Sequence, residues 1–398
     1  MNNDAIVICS PVRTAIGSFL GSLKNIPSPK LGAQCLSDII QKNEKLSADL
    51  IDEVYMGCVL SSGLGQAPAR QAAIFAGLNK KTPCTTVSKV CGSGLKSAML
   101  AHSQIKAGLA DCILTGGMEN MSQSPFLIQR AREGLRLGHG EFIDSMVKDG
   151  LWDVYNDYHM GNAADLCAKE FNISREDQDN YAIQSYKRAQ DSLSKELFKD
   201  EIVPVDVKIK KDKIKFSTDE EALKVKFEKI PQLRPVFSKE GSVTAANAST
   251  LNDGASAMIV CKESFALKNE LNIFAKIIHH TQAAREPEQF TVAPTDSINN
   301  LLAETELKTT DIDLWEINEA FSVVALANLK KLNLKADNVN IRGGSVALGH
   351  PIGASGARIL TTLAHTLKAE QKRYGIASLC IGGGEAVSML IENYSKPS

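Results

Sequence analysis

Two stretches far apart in the chain follow one plan, and that repetition restricts the fold more than any single motif does. GSGLKSAMLAHSQIKAGLADCILTGGMEN (92–120) and ASGARILTTLAHTLKAEQKRYGIASLCIGGGEA (354–386) each open on Ser-Gly and run through an amphipathic pattern containing Ala-His. Each then passes into a strand and ends in a glycine-rich turn. In the first copy Leu95, Ala98, His102, Ile105 and Leu109 fall near one helical face; in the second, Ile359, Leu363 and Leu367 do. Two related α/β halves sharing an interface are expected, with a site where the strand ends of both halves meet.

The texture between the copies agrees. Short β-rich runs (Ala5 to Cys9, Glu53 to Val59, Thr85 to Val90, Cys112 to Thr115) alternate with helical patterns up to about residue 120, and the alternation returns after about residue 270. Between Glu133 and Lys239 it is lost to charged helical stretches and a lysine-rich segment, VDVKIKKDKIKFSTDEEALKVKFEKI, which reads as a surface excursion carried on a core domain.

Charge excludes several function classes. With 45 basic and 46 acidic residues in 398, the formal net charge is -1, so no global basic field exists to hold nucleic acid or an anionic membrane. An anionic ligand must be held locally. No run of eighteen apolar residues occurs, and MNNDAIVICSPVRTAIG lacks a basic region followed by an apolar one, so a cytoplasmic protein is expected. The nine cysteines, at 9, 35, 58, 84, 91, 112, 167, 261 and 380, form no CxxC pair, which fits neither a disulfide framework nor a zinc site. Free thiols and no metal are expected. GxxxxGK[ST], GxGxxG, HExxH and GxSxG are all absent, which removes the usual markers of phosphoryl transfer, dinucleotide redox chemistry, zinc hydrolysis and serine hydrolysis.

Cysteine chemistry on an acyl group remains. In KVCGSGLKSAML the run TTVSKV reads as a strand and the following segment as a helix, so Cys91 stands where helical N–H groups point outward. A helix N-terminus and a neighbouring imidazole lower a thiol from its ordinary pKa of ~8.5, and the glycines admit a substrate. The alternative for Cys91 is a buried structural thiol. His350, between Gly349 and Pro351, is either a proton carrier or a satisfied loop histidine; His102 and His365, inside helices, serve packing. SLCIGGGEA delivers Cys380 to a triple glycine whose consecutive N–H groups can face an oxyanion. In WEINEAFSVVALANL, Asn318 and Glu319 open a helix: an N-cap with an acidic first turn, or an asparagine that holds a water.

Together these segments closely resemble the thiolase family, on its acetoacetyl-CoA side. The likeness runs in order through PVRTAIGSFLGSL, GQAPARQAAIFAGL, VCGSGLKS, GGMENMS, HMG, GSVTAANAS, NEAFS, GHPIGASGAR and CIGGG, covering nearly the whole chain. It implies a duplicated five-layer α/β/α/β/α core, with an N-terminal half over 1–270 that carries a loop domain at about 121–248, and a C-terminal half over 271–398. It implies that Cys91, with His350 as base, takes an acetyl group from acetyl-CoA and releases CoA. Cys380 then removes an α-proton from a second acetyl-CoA, giving acetoacetyl-CoA; thiolysis runs backwards. A water held by Asn318, together with His350, would hold the enolate oxygen, the backbone N–H groups of Cys91 and Gly382 the tetrahedral oxyanion, and His159 and Ser249 the pantetheine arm. No cofactor is implied beyond CoA as substrate and product, and the assembly implied is a homotetramer, a dimer of dimers. The chain departs from the family at DEEALKVK, where Lys224 or Lys226 stands in for an arginine, and at Arg342, Glu385 and Ala386. A 3-ketoacyl-CoA thiolase of longer chain specificity and a non-catalytic acyl-CoA-binding member of the fold are the competing readings.

Overall fold

The β-rich runs become strands twice in the same order. In the computed structural model, which describes residues 4–209 and 212–395, the first half contributes β1 (Ile6–Thr14), β2 (Glu53–Gly57), β3 (Cys84–Val87), β4 (Cys112–Asn120) and β5 (Asn252–Lys262), lying side by side as β3-β2-β4-β5-β1. Its helices are α1 (Ser28–Lys42), α2 (Pro68–Phe75) and α3 (Ser93–Lys106). Lys210 and Lys211 of the lysine-rich segment, and both chain ends, lie outside the described residues. The excursion between β4 and β5 contains α4 (Met160–Glu170) and α5 (Arg175–Ser194). Because β4 and β5 are antiparallel neighbours, with Asn120 opposite Asp253, the excursion is topologically the loop of one long hairpin.

The second half supplies β6 (Ile273–Ala284), α6 (Ala293–Thr305), β7 (Leu314–Ile317), α7 (Ser322–Leu332), α8 (Ile352–Ala369), β8 (Tyr374–Ile381) and β9 (Glu385–Asn393), ordered β7-β8-β9-β6. A third strand between α7 and α8 is reduced to one bridge, Trp315 to Val339. Numbered within its own half, each sheet therefore reads 3-2-4-5-1. Antiparallel pairing of β1 with β6, Ile8 opposite Ala275, joins the two.

Strand alternation distributes the core among the layers. Val7 and Cys9 face outward onto Leu31, Leu36 and Ile39 of α1, whereas Ile6 and Ile8 face inward onto Leu95, Met99, Leu360 and Leu363. On the far side Ile298 and Leu301 of α6 and Leu329 of α7 cover Trp315, Ile317, Ile376 and Leu390. The result is the α/β/α/β/α sandwich expected, with α3 and α8 as its middle layer. Every residue of α8 from Ile352 to Leu367 is buried, and each large apolar side chain so placed contributes ~1.5–3 kcal/mol.

Where α3 and α8 cross, the two Ser-Gly copies meet backbone to backbone. A Cβ on Gly94 would lie 2.7 Å from the Ala357 nitrogen, and one on Gly356 would lie 2.3 Å from the Leu95 nitrogen. Alanine at either site forces the middle layer apart. One position in the helical stripe is corrected: Leu109 falls beyond the end of α3 and is exposed, whereas Leu95, Ala98, His102 and Ile105 are buried as the pattern indicates.

Candidate active site

Cys91 stands in the turn between β3 and α3. Ser93 closes this turn: its Oγ accepts the Lys89 N–H at 2.8 Å and donates to the Val90 carbonyl at 2.7 Å. Val90 is held at φ 42°, a left-handed conformation that costs a β-branched residue ~1–3 kcal/mol. The strand therefore stops at Val87 instead of reaching Val90 as its β-branched pattern suggests, because the chain must reverse to present Cys91. At Gly92 a Cβ would come within 2.4 Å of the Ile381 side chain, which explains glycine where the end of β8 approaches.

Two backbone N–H groups, those of Gly382 and of Cys91 itself, point at the Cys91 sulfur and favour its thiolate, but burial outweighs them and pushes the thiol up to about 12. The lowered pKa expected from a helix N-terminus is thus not found. Cys91 rests as a thiol, and any attack by its sulfur needs a group that takes its proton.

His350 can take that proton. Gly349, at φ 107°, turns the chain so that the His350 N–H donates to Asn252 Oδ1 at 2.9 Å; a Cβ on Gly349 would overlap the Asn252 side chain. The ring Nδ1 lies 2.7 Å from Ser355 Oγ, which donates its single hydrogen to the Pro351 carbonyl at 2.9 Å. A hydroxyl whose hydrogen is committed can only accept from the ring, so Nδ1 carries the proton and Nε2 a lone pair. Nε2 has no partner among the described residues. Burial, and then the Arg358 charge, lower the His350 pKa to about 3, so the ring is a neutral base at physiological pH.

Cys380 lies one residue before the end of β8 and is buried. Burial, then the neighbouring Cys91, raise its pKa well above the ordinary thiol value. Asn318 is also buried: its Oδ1 accepts from Ser345 Oγ at 2.6 Å, and its Nδ2 has no partner among the described residues. Asn318 and Glu319 do not open a helix. α7 begins at Ser322, and the pair instead follows the end of β7. Glu319 is no first-turn acid either: its carboxylate accepts from Tyr181 Oη, Ser185 Oγ, Asn340 Nδ2 and the Val346 N–H at 2.7–3.1 Å, tying α5 to the second half.

A mainly apolar cavity of about 560 Å³ is lined by Cys91, His350, Gly382, His159 and Ser249, with Met121, Met146 and Phe321 among its other residues. Asn318 and Cys380, both buried, are not among the lining residues. His159 stacks on Phe237 with ring centroids 4.6 Å apart, and its Nδ1 accepts the Gly161 N–H at 3.1 Å, which caps α4 and leaves Nε2–H as the free donor. Ser249 Oγ donates to the Ala320 carbonyl at 2.8 Å, keeping its lone pairs available as acceptors. Lys224 reaches the same cavity and contacts Ser18, while Lys226 lines an adjoining groove with Lys229. Arg342 is buried away from the site, donating to the Leu197 carbonyl at 2.8 Å.

Four supporting residues escaped the sequence reading: Ser355, Asn252, Ser345 and Glu119. Glu119, wholly buried at the end of β4, accepts the N–H groups of Val59 and Leu60 at 3.1 and 3.2 Å and that of Gly353 at 2.9 Å. It thereby caps α8, whose own Pro351 supplies no side-chain cap. Only the GGMENMS segment hinted at it.

Comparison with known proteins agrees with this geometry. The thiolase N-terminal domain family model matches residues 6–264 and the thiolase C-terminal domain model residues 271–393. The chain is 48% identical over 389 residues to the mitochondrial acetyl-CoA acetyltransferase of Bos taurus, covering 97% of this chain and 91% of that one. It is 47% identical over 392 residues to the acetyl-CoA acetyltransferase of Yarrowia lipolytica, covering 98% and 97%. The crystal structure of the Acat5 thiolase from Ascaris suum in complex with coenzyme A superposes with a TM-score of 0.92 at 40% identity, covering 98% of this chain and all of that one.

Proposed function

The chain belongs to the thiolase family, and from that premise we propose that it is an acetyl-CoA C-acetyltransferase, condensing two acetyl-CoA to acetoacetyl-CoA and CoA and running the reverse thiolysis. The observation that carries this is a convergence from both halves. Cys91 and its own N–H come from the first half; the Gly382 N–H and the unprotonated Nε2 of His350 come from the second.

In this reading Cys91 Sγ attacks the acetyl carbonyl while its proton passes to His350 Nε2, and the tetrahedral oxygen is held by the N–H groups of Cys91 and Gly382. Each such preorganised donor contributes roughly 10²–10³ in rate. CoA leaves with the proton, and acetyl-Cys91 remains. Burial raises Cys380, and a thiolate so destabilised is a strong base toward the α-proton of the second acetyl-CoA. The resulting enolate oxygen is served by His350 and by Asn318. As the family pattern implies, Asn318 acts through a bridging water. His159, as a donor, and Ser249, as an acceptor, suit the two kinds of polar atom in a pantetheine amide, and Lys224 suits a phosphate at the mouth. A homotetrameric assembly in the cytoplasm, with no cofactor beyond CoA, completes the reading; native mass and cell fractionation test those parts.

The deciding experiment is intact mass measurement after brief incubation with acetyl-CoA. One acetyl group mapped to Cys91, absent in Cys91→Ala together with acetoacetyl-CoA thiolysis, is expected. A wild-type protein with neither adduct nor thiolysis refutes the proposal, and chain-length profiling of thiolysis separates it from a long-chain thiolase.

A further inference from the structure

A line of buried polar groups ends at Asn318. Arg358, on α8 and 2% exposed, donates from Nη2 to Ser345 Oγ at 2.9 Å, and Ser345 Oγ lies 2.6 Å from Asn318 Oδ1. The direction of this line is fixed by what each group can do. A guanidinium only donates, so the serine accepts from it and its single hydrogen goes to Asn318. The carboxamide is then held by its oxygen, and Nδ2 is left as its free end, buried and without a partner among the described residues. An orphaned buried donor costs ~1–3 kcal/mol, so a fold that retains one beside its reacting groups has a use for it.

Ser345 is well placed for a single purpose. It opens the short helix Ser345–Leu348, which leads through Gly349 to His350, so the segment carrying the base also carries the clamp on Asn318. Arg358 is itself poorly satisfied. A carboxylate oxygen of Glu316 lies 3.5 Å from Nη1, and among the described residues Nε and Nη1 make no hydrogen bond. Burial pushes Glu316 up to about 8, so at neutral pH the guanidinium faces a largely protonated acid and keeps its charge for Ser345 and for the field felt by His350.

We infer that Ser345 and Arg358 are positioning residues for the enolate-forming half of the reaction: the Arg358→Ser345→Asn318 relay locks the Asn318 carboxamide with Nδ2 toward the reacting oxygen. This rests on the function proposed above and adds to it a division of labour. Cys91 acetylation, which uses Cys91, His350 and Gly382, does not depend on the relay; exchange of the acetyl-CoA α-protons does.

The test is a double-mutant cycle of Ser345→Ala and Asn318→Ala, with two readouts on each protein: the rate of Cys91 acetylation, and the exchange of acetyl-CoA methyl protons with deuterated water. In Ser345→Ala, exchange is expected to fall about tenfold relative to acetylation, the loss of one buried hydrogen bond. In the Asn318→Ala background the same substitution should add less than about twofold, since the group it positions is gone. Ser345→Thr, which keeps the hydroxyl, should restore exchange, and it serves as the comparison if Ser345→Ala folds poorly. Additive effects in the cycle, or an equal loss in both readouts, would overturn the relay while leaving the acetyltransferase reading standing. No acetylation in the wild type would bring down both.

Discussion

The two Ser-Gly copies at the start of α3 and α8 are the same device put to different uses. Ser93 ties the backbone of the turn that presents a thiol, joining the Lys89 N–H to the Val90 carbonyl. Ser355 also reaches back to a carbonyl, that of Pro351, but its other contact is the imidazole of His350, so here the serine decides a tautomer. The glutamates that close the two copies diverge similarly. Glu119 is wholly buried and caps α8 of the opposite half, whereas Glu385 reaches Lys89 of the opposite half across 2.6 Å at a partly exposed site. Duplication supplied a symmetric frame, and the chemistry came from what was placed just before each serine and from how deeply each glutamate was buried.

The sharpest way to break this comparison is Ser355→Ala. With no acceptor at Nδ1 the ring is free to change tautomer, and kcat should fall about 10–100-fold with little change in KM, measured by acetoacetyl-CoA thiolysis. A loss as small as that of Ser93→Ala would mean that both serines are merely turn residues.

Next comes Glu119→Gln, read as stability against pH. Burial raises the Glu119 pKa from 4.5 to about 7 despite its three backbone donors, so the folded state holds a proton that the unfolded chain has already released. Its contribution is therefore complete below pH ~4.5 and is lost as pH rises toward ~7. The glutamine variant should show a shallower decline between pH 5 and 7.5, by about 3 kcal/mol at most, in urea midpoints at the two ends. Asp253 and Glu316, also raised by burial, keep part of the slope in both proteins.

Ser93→Ala should cost ~1 kcal/mol of stability from a lost turn clamp, with kcat within a few-fold. Glu385→Gln is the smallest: a half-exposed pair with Lys89 is worth less than ~1 kcal/mol, and thermal unfolding should barely move.

These contrasts also mark what a sequence can carry. The duplicated halves were legible because helix and strand periods, and the glycines where α3 meets α8, are written in local pattern. Cys91, His350 and Cys380 were legible because each stands next to turn chemistry. The left-handed Val90 was not, since its β-branched side chain argues for extending the strand, and only the pull of Ser93 on the turn overrides that preference. Nor was the pKa of Cys91 legible: the helix N-terminus is visible in the sequence, but the depth of burial that outweighs it is a tertiary fact. Ser345 and Asn252 look like ordinary loop residues until the fold sets them against Asn318 and His350.

The hairpin of β4 and β5 has a consequence for how such an enzyme can change. The ends of the excursion stand opposite each other, Asn120 against Asp253, about one strand spacing (~5 Å) apart. His159 and Ser249 lie inside it; Cys91, Asn318, His350 and Cys380 all lie outside. In the proposed function, the segment that faces the carrier arm of the substrate is thus a cassette with a fixed footprint, and selection can rewrite what the enzyme grips without renegotiating how it reacts.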